Sequence, residues 1–395
     1  MKNMTVPLKK KVYSKKNSVV ELDIGADVVG EAKDILKRIV KLRSNKRVLS
    51  MLSAYEQEIL GRVFCDLFGT IDSSSSSRYQ ISNYAIGEIL SYVHAEETLA
   101  KYLFNRYRYE MFPQQYILDD YPPYLQIEPT SHCNYKCVFC VHSDKAFTAP
   151  VNGHMGHMSV DLFKAIIDQA EGHVEFLCFS DRGEPLLCKN IEEMLAYTQS
   201  KFMNLKLNTN ASLLDEAKCH SILCSGVKTL VFSVDAADER LYSQYRVNGD
   251  FNKVCANIGR FQEIRRKYYP DSEIVTRVSG VKYGEEQDMK TMTEFWGKMV
   301  DQVSFVAYRP REHVYNQASN HLETPCSDLW RRMFVWWDGS VNPCDVDYKS
   351  TLCVGNVNEK SIKDIWTSEK YLSLRNRHVT NKRQTLLPCK QCDVV

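Results

Sequence analysis

Over roughly the first 120 residues, apolar positions recur three and four apart with charges between them, as in VVGEAKDILKRIVKLRS, SAYEQEILGRVFCDLFG and NYAIGEILSYVHAEETLAKYLFNRYRYEMF. That is the period of an amphipathic helix, and it predicts a helical N-terminal region over 1–120. The five serines Ser73 to Ser77 cannot contribute to a core and read as a surface loop. Paired prolines in the YPPY of Tyr121 to Tyr124 remove backbone donors and end the pattern. The segment KYLFNRYRYEMFPQQY carries aromatics and arginines at helical spacing, which suits a helix packed on the rest of the chain or, alternatively, an RNA-facing surface.

From Tyr124 the pattern changes to short apolar runs, YLQIEPT, VEFLCFS, LKLNTN, TLVFSVD, EIVTRVSG and QVSFVAYR, separated by helical stretches such as SVDLFKAIIDQAEG. Strands alternating with helices predict an α/β fold with a parallel sheet and its chemistry at the strand ends. Six units are too few for a closed eight-stranded barrel, so the expectation over 121–312 is a partial (β/α)6 barrel. The remaining 313–395 read as a small β-hairpin-plus-helix domain, with Asp338-Gly339 turning the hairpin of WWDGSVNPC and SIKDIWTSEKYLSLRNRH as its helix.

The 395 residues are 44% hydrophobic and 25% charged, with 51 Lys and Arg against 49 Asp and Glu, which excludes a disordered or fibrous chain. A net charge of +2 gives no electrostatic reason to expect nucleic acid or an anionic membrane as partner. No run approaches the roughly 20 apolar residues of a membrane-spanning helix. The basic start MKNMTVPLKKKVYSKKNSVVELDIG lacks the apolar stretch of a secretory signal, and the expected location is cytoplasmic.

Of the 14 cysteines, seven stand alone, several in apolar runs where a thiol behaves as a small hydrophobe. The other seven form two groups. Residues 129 to 140, PTSHCNYKCVFC, place Cys133, Cys137 and Cys140 on one loop after the first predicted strand. Clustered thiolates select soft metal centres, and no fourth Cys or His stands nearby at zinc-finger spacing. The spacing points to a [4Fe-4S] cluster with three thiolates and one iron open to a further ligand.

This loop, with Phe139 before its last cysteine, resembles the radical S-adenosylmethionine superfamily. The resemblance continues in SDRGEP, where Gly183, Glu184 and Pro185 match a motif that receives the amino group of S-adenosylmethionine, although Arg182 replaces its first glycine. It continues in LNTNAS, containing Asn208 and with Ala211 at a glycine position, and in SVDAADERLYSQYR, where Ser233, Asp235 and Arg246 correspond to cofactor contacts. The resemblance implies that S-adenosylmethionine is bound at the open iron and cleaved to a 5′-deoxyadenosyl radical. It also implies a flavodoxin or ferredoxin-type electron donor.

Cys326, Cys344, Cys389 and Cys392 make the second group, and their spacing alone is equally compatible with zinc. The run DGSVNPC, GNV, SIKDIW and a terminal C-x2-C resembles the SPASM/Twitch extension of the same superfamily. That resemblance implies an auxiliary [4Fe-4S] cluster saturated by four thiolates, with Cys353 a spare fifth cysteine. The Twitch pattern is similar to dehydrogenases of the 2-deoxy-scyllo-inosamine type, from carbohydrate and natural-product biosynthesis. It implies an oxidoreductase acting on a small-molecule sugar or aminocyclitol alcohol. Arg309, in VAYRPREH, is the candidate catalytic residue at the substrate hydroxyl, with Tyr308, Arg311 and His313 as weaker candidates. Alternatives are a peptide-modifying enzyme, a sugar epimerase or dehydratase with Cys178 or Cys188 as hydrogen donor, and a non-enzymatic iron-sulfur protein.

Overall fold

The computed structural model describes residues 18–20, 28–69 and 78–393, so the serine run Ser73 to Ser77 lies outside the described residues. Among the described residues the N-terminal periodicity forms five helices, α1 (Val28–Ser44), α2 (Lys46–Ser50), α3 (Ala54–Phe68), α4 (Asn83–Tyr92) and α5 (Glu96–Gln115). Their starts are set locally: Ser53 and Glu56 make a reciprocal capping box on α3, and the Ser82 side chain accepts the Ala85 N–H of α4. Their apolar faces share one cluster that includes Ile39, Leu60, Ile86 and Leu103. Helix α5 is buried on nearly every side, Arg106 and Arg108 included, so the RNA-facing alternative does not hold. Arg106 meets Glu110 at 2.6 Å and Arg108 meets Asp119 at 2.5 Å, which satisfies the charges that burial strands.

The strands are β1 (Ser18–Val20), β2 (Tyr124–Ile127), β3 (Phe176–Phe179), β4 (Asn204–Thr209), β5 (Val227–Ser233), β6 (Val275–Lys282), β7 (Gln302–Ala307), β8 (Arg332–Val335), β9 (Ser340–Asn342) and β10 (Gly355–Asn356). All six expected barrel strands are present, β2 to β7, parallel and in unbroken chain order. An order that never reverses returns every right-handed crossover on the same face. The helices therefore line the outside, where Phe163, Ile167, Leu195, Ile222 and Phe261 pack on Leu177, Leu205, Leu207, Leu230 and Phe232.

Both edges of this six-stranded arc are covered. Strand β1 lies antiparallel on β7, and β8 lies parallel on β2 from Tyr124 against Arg332 to Ile127 against Val335. The cover is short on the β7 side, where β1 meets Phe305 and Val306, and runs the length of β2 on the other. The expected hairpin is β8–β9, with Gly339 at φ +83 in its turn, and β10 adds antiparallel to β9. The C-terminal segment thus extends the barrel sheet itself.

Candidate active site

The C-terminal ends of β2 to β5 converge on a cavity of about 280 Å³ lined by Cys133, Cys137, Cys140 and Phe139, by Gly183 and Glu184, and by Asn208, Ser233 and Arg246. Four successive predicted motifs therefore meet in one place. The cysteine loop is pinned by its backbone, Lys136 N–H donating to Val247 O at 2.9 Å and Val138 N–H to Tyr245 O at 3.1 Å. The Asn134 side chain donates to Ser212 Oγ and accepts from Asn210 Nδ2, tying the loop to the end of β4.

Gly183 lies under this loop. A Cβ there would fall 2.2 Å from Thr130 O and 2.6 Å from His132 O, so no other residue fits. Beside it Glu184 N–H donates to His132 O at 2.9 Å. The buried Glu184 carboxylate accepts from Thr209 Oγ1 at 2.6 Å, Asn210 N–H at 2.7 Å and Leu186 N–H at 3.1 Å. Burial raises its pKa against these bonds. Pro185 opens the short 3-10 turn that supplies the Leu186 N–H and is itself outside the cavity lining.

Asp235, fully buried, does not line the cavity; it pairs with Arg246, which does, and accepts the Val281 N–H at 2.6 Å. Asn208 donates to Ser180 Oγ at 3.2 Å, while its Oδ1 is buried with no hydrogen-bond partner. Burial pushes Cys133 and Cys137 up to about 12, so the bare thiols are protonated and a metal centre would have to displace their protons. Three soft donors, a fixed carboxylate, a guanidinium and an orphaned amide oxygen fit a thiolate-held metal centre with a polar zwitterionic ligand.

Arg182 explains the departure from the glycine motif. It turns inward, pairing with the fully buried Glu128 at 2.5 and 2.7 Å, donating to Tyr348 O at 3.0 Å and lying 3.4 Å from the Trp336 ring centre. It thereby joins the end of β2 to the C-terminal segment.

The far wall of the cavity holds Asp181, Arg311 and Asp345. Arg311 meets Asp345 at 2.7 Å, and Asp181 Oδ2 is buried without a hydrogen-bond partner. Burial, with Glu128 and Asp345 nearby, pushes the Asp181 carboxyl well above the usual range. Arg309, the expected catalytic residue, does not line the cavity; its guanidinium donates to Asp393 O at 3.2 Å. The chain turns into a 3-10 helix at Arg311, which brings that arginine to the cavity instead. Cys178 and Cys188 are both buried off the lining, Cys188 against Met194. Asp181 and Asp345 carry no motif of their own; adjacency to GEP and to Cys344 is the only sequence signal they offer.

Cys326, Cys344, Cys389 and Cys392 line a second, small cavity of about 20 Å³ with His378, Arg383, Val346 and Pro388. Burial pushes Cys326 up to about 12. Cys353 lies in a separate groove. Among the described residues no three His, Cys, Asp or Glu side chains are placed to hold a single metal ion. The fit here rests on the donor set, four thiols and no carboxylate, which suits iron-sulfur or another soft centre. All 14 cysteines are free of disulfides, and among the described residues no helix is long and apolar enough to cross a membrane.

The radical SAM superfamily pattern matches residues 127–295, and that of the SPASM iron-sulfur cluster-binding domain matches 326–393. The chain is 24% identical over 303 residues to a tungsten-containing aldehyde ferredoxin oxidoreductase cofactor-modifying protein of Pyrococcus furiosus, covering 64% of this chain and 83% of that one. It is 22% identical over 276 residues to the S-adenosyl-L-methionine-dependent 2-deoxy-scyllo-inosamine dehydrogenase of Niallia circulans, covering 69% and 92%. Among solved structures, BtrN in complex with AdoMet and 2-DOIA aligns with a TM-score of 0.46 at 20% identity, covering 69% of this chain and 93% of that one.

Proposed function

Because the chain carries a radical SAM domain followed by an iron-sulfur cluster-binding SPASM domain, we propose that it is an oxidoreductase that removes hydrogen from a secondary alcohol of a small sugar or aminocyclitol and leaves a ketone. Its cofactors are a SAM-binding [4Fe-4S] cluster, an auxiliary [4Fe-4S] cluster and S-adenosylmethionine. When bound, they would supply a 5′-deoxyadenosyl radical to take one hydrogen atom and an acceptor for the remaining electron, and the Asp345 carboxylate of the cavity would take the hydroxyl proton.

In this reading Cys133, Cys137 and Cys140 hold the first cluster, and Cys326, Cys344, Cys389 and Cys392 the auxiliary one. Glu184, immobilised by its three hydrogen bonds, is a fixed acceptor for the methionine amino group. Arg246, aligned by Asp235, faces the methionine carboxylate, with Ser233 and Asn208 toward the ribose. Asp181, Arg311 and Asp345 are left for the substrate, two carboxyl groups and a guanidinium suited to hydroxyl or amino groups. Arg311 takes the place at the substrate hydroxyl expected of Arg309.

One observation carries the proposal: Asp345, the residue after Cys344, lines the same cavity as Cys133, Cys137 and Cys140. In this reading a substrate held there lies between the first cysteine group and the segment that carries Cys344, the arrangement that hydrogen abstraction followed by electron removal requires. The 22% relative named as a dehydrogenase supports the same reading. The burial of Cys178 and Cys188 away from the cavity favours oxidation over epimerisation, which needs a hydrogen donor there.

The test is anaerobic reconstitution with iron and sulfide counting, then incubation with S-adenosylmethionine and a reductant of the flavodoxin or ferredoxin type. About eight irons per chain are expected for two clusters, with 5′-deoxyadenosine formed and lost on Cys133→Ala. With 2-deoxy-scyllo-inosamine as probe, a ketone should form in step with 5′-deoxyadenosine. About four irons plus one zinc would sink the oxidative reading.

A further inference from the structure

The four thiols of the second cavity share it with one cationic side chain, Arg383, which is 1% exposed. Its three donor groups all go to backbone carbonyls. Nε donates to Cys389 O at 3.1 Å, Nη1 to Thr324 O at 3.0 Å and Nη2 to Cys392 O. Among the described residues no carboxylate pairs with it. Carbonyl dipoles replace water around a buried guanidinium but leave its charge uncompensated, a costly arrangement unless an anion lies beside it.

The same carbonyls belong to the segments that deliver three of the four thiols: two are those of Cys389 and Cys392, and the third precedes Cys326 by two residues. His378, also 1% exposed, completes the lining; its Nδ1 accepts the Cys326 N–H at 3.2 Å, which leaves the proton of the neutral ring on Nε2. A four-iron cluster with four thiolates is a dianion that gains one more negative charge on reduction. A fixed cation at its edge stabilises the reduced form more than the oxidised one, and charge and hydrogen bonding near the sulfurs are established levers on cluster potential.

We infer that Arg383 is a positioning residue that serves as the built-in counter-charge of the auxiliary cluster, holding three ligand segments with its fork and raising the cluster's reduction potential with its charge. The inference rests on the proposed role of these four cysteines. A raised potential suits the auxiliary site to accept an electron, which is what an oxidation of substrate demands.

The test is an EPR-monitored redox titration of the full chain, anaerobically reconstituted. Arg383→Gln should lower the auxiliary midpoint potential by at least tenfold in the reduction equilibrium, about 59 mV for one electron, and leave the first cluster unmoved. Arg383→Lys, which keeps the charge and loses the fork, should stay near the wild-type potential. Full iron with an unshifted potential in Arg383→Gln overturns the inference. If Arg383→Gln cannot hold the cluster, Arg383→Lys decides: retained iron at the wild-type potential supports the counter-charge, and a tenfold fall or loss of the cluster refutes it. Zinc in the wild-type protein would overturn the cluster reading as well, so iron counting distinguishes the two failures.

Discussion

Glu128 has no exposed surface, and its charge is answered chiefly by Arg182, 54 residues away, with two hydrogen bonds from the guanidinium. Desolvation makes the pair a weak net stabiliser while both partners stand, and breaking it on one side leaves a buried charge unpaired. Arg182→Gly, which restores the glycine of the superfamily motif, should therefore destabilise the protein by roughly 3–5 kcal/mol. Adding Glu128→Gln should recover a large part of that loss, which denaturant unfolding of the two variants would measure; equal stability of wild type and Arg182→Gly would show that the arginine is dispensable. The neighbouring glycine fails differently. In Gly183→Ala the new methyl would meet the backbone oxygens of Thr130 and His132 at 2.2 and 2.6 Å, so the cysteine loop itself must shift. Reconstituted Gly183→Ala should keep its auxiliary irons and lose those of the first site, readable as roughly half the iron content. Iron binding undiminished at that site would mean the loop yields without harm.

At the scale of elements, the loop after the cysteine motif is tied to the C-terminal segment through Asp144, which accepts from Tyr348 Oη at 2.8 Å and meets Lys349 Nζ at 2.6 Å. Burial would raise its pKa, but the hydrogen bonds from Lys349, Tyr348 and the Ala146 N–H hold it below the ordinary carboxylate range. A folded pKa below the unfolded one, about 3.9, means the contribution is complete above that value and lost as pH falls through the folded value. Asp144→Asn should thus unfold less steeply than wild type between about pH 4 and the acid limit. The difference should be small because solvent screens the pair, and superimposable acid-unfolding curves would remove Asp144 as a contributor. The barrel strands were legible because each is a short apolar run bounded by polar segments. The place of β8 was not, since its pairing partner β2 lies about 200 residues earlier and pairing over that distance leaves no local pattern. The same limit explains the arginines. Arg309 and Arg311 look alike in VAYRPREH, and only the 3-10 turn that begins at Arg311 decides which one reaches the cavity. The first cysteine group needed no such help, because its spacing is itself the signal, whereas the spacing of the second suits zinc equally.

At the scale of the whole molecule, the N-terminal helices meet the barrel at the ends of the strands opposite the cavity. Tyr102 packs its ring against Phe176 at the start of β3, Glu88 accepts from Asn204 at the start of β4 at 2.7 Å, and Arg332 at the start of β8 donates to Tyr109 Oη at 2.7 Å. Arg277 of β6 lies 5.0 Å from the Tyr84 ring centre. A six-stranded arc does not close on itself as an eight-stranded barrel does, so its floor needs a cover, and these helices provide one with buried Glu88 and Tyr102 against the sheet. Removing residues 1–117 should expose that floor as a broad apolar and charged surface, since Tyr124, Phe176 and Met203 pack against the helical cluster. The shortened chain should aggregate or elute as large particles on size exclusion even though every cysteine of both cavities is retained. A milder probe is Glu88→Leu, which strands the Asn204 amide and the Tyr102 hydroxyl and should cost about 2–3 kcal/mol. A truncated chain that stays monomeric, melts cooperatively and reconstitutes to the full iron content would show that the helices are a separable attachment and that the barrel closes its own floor.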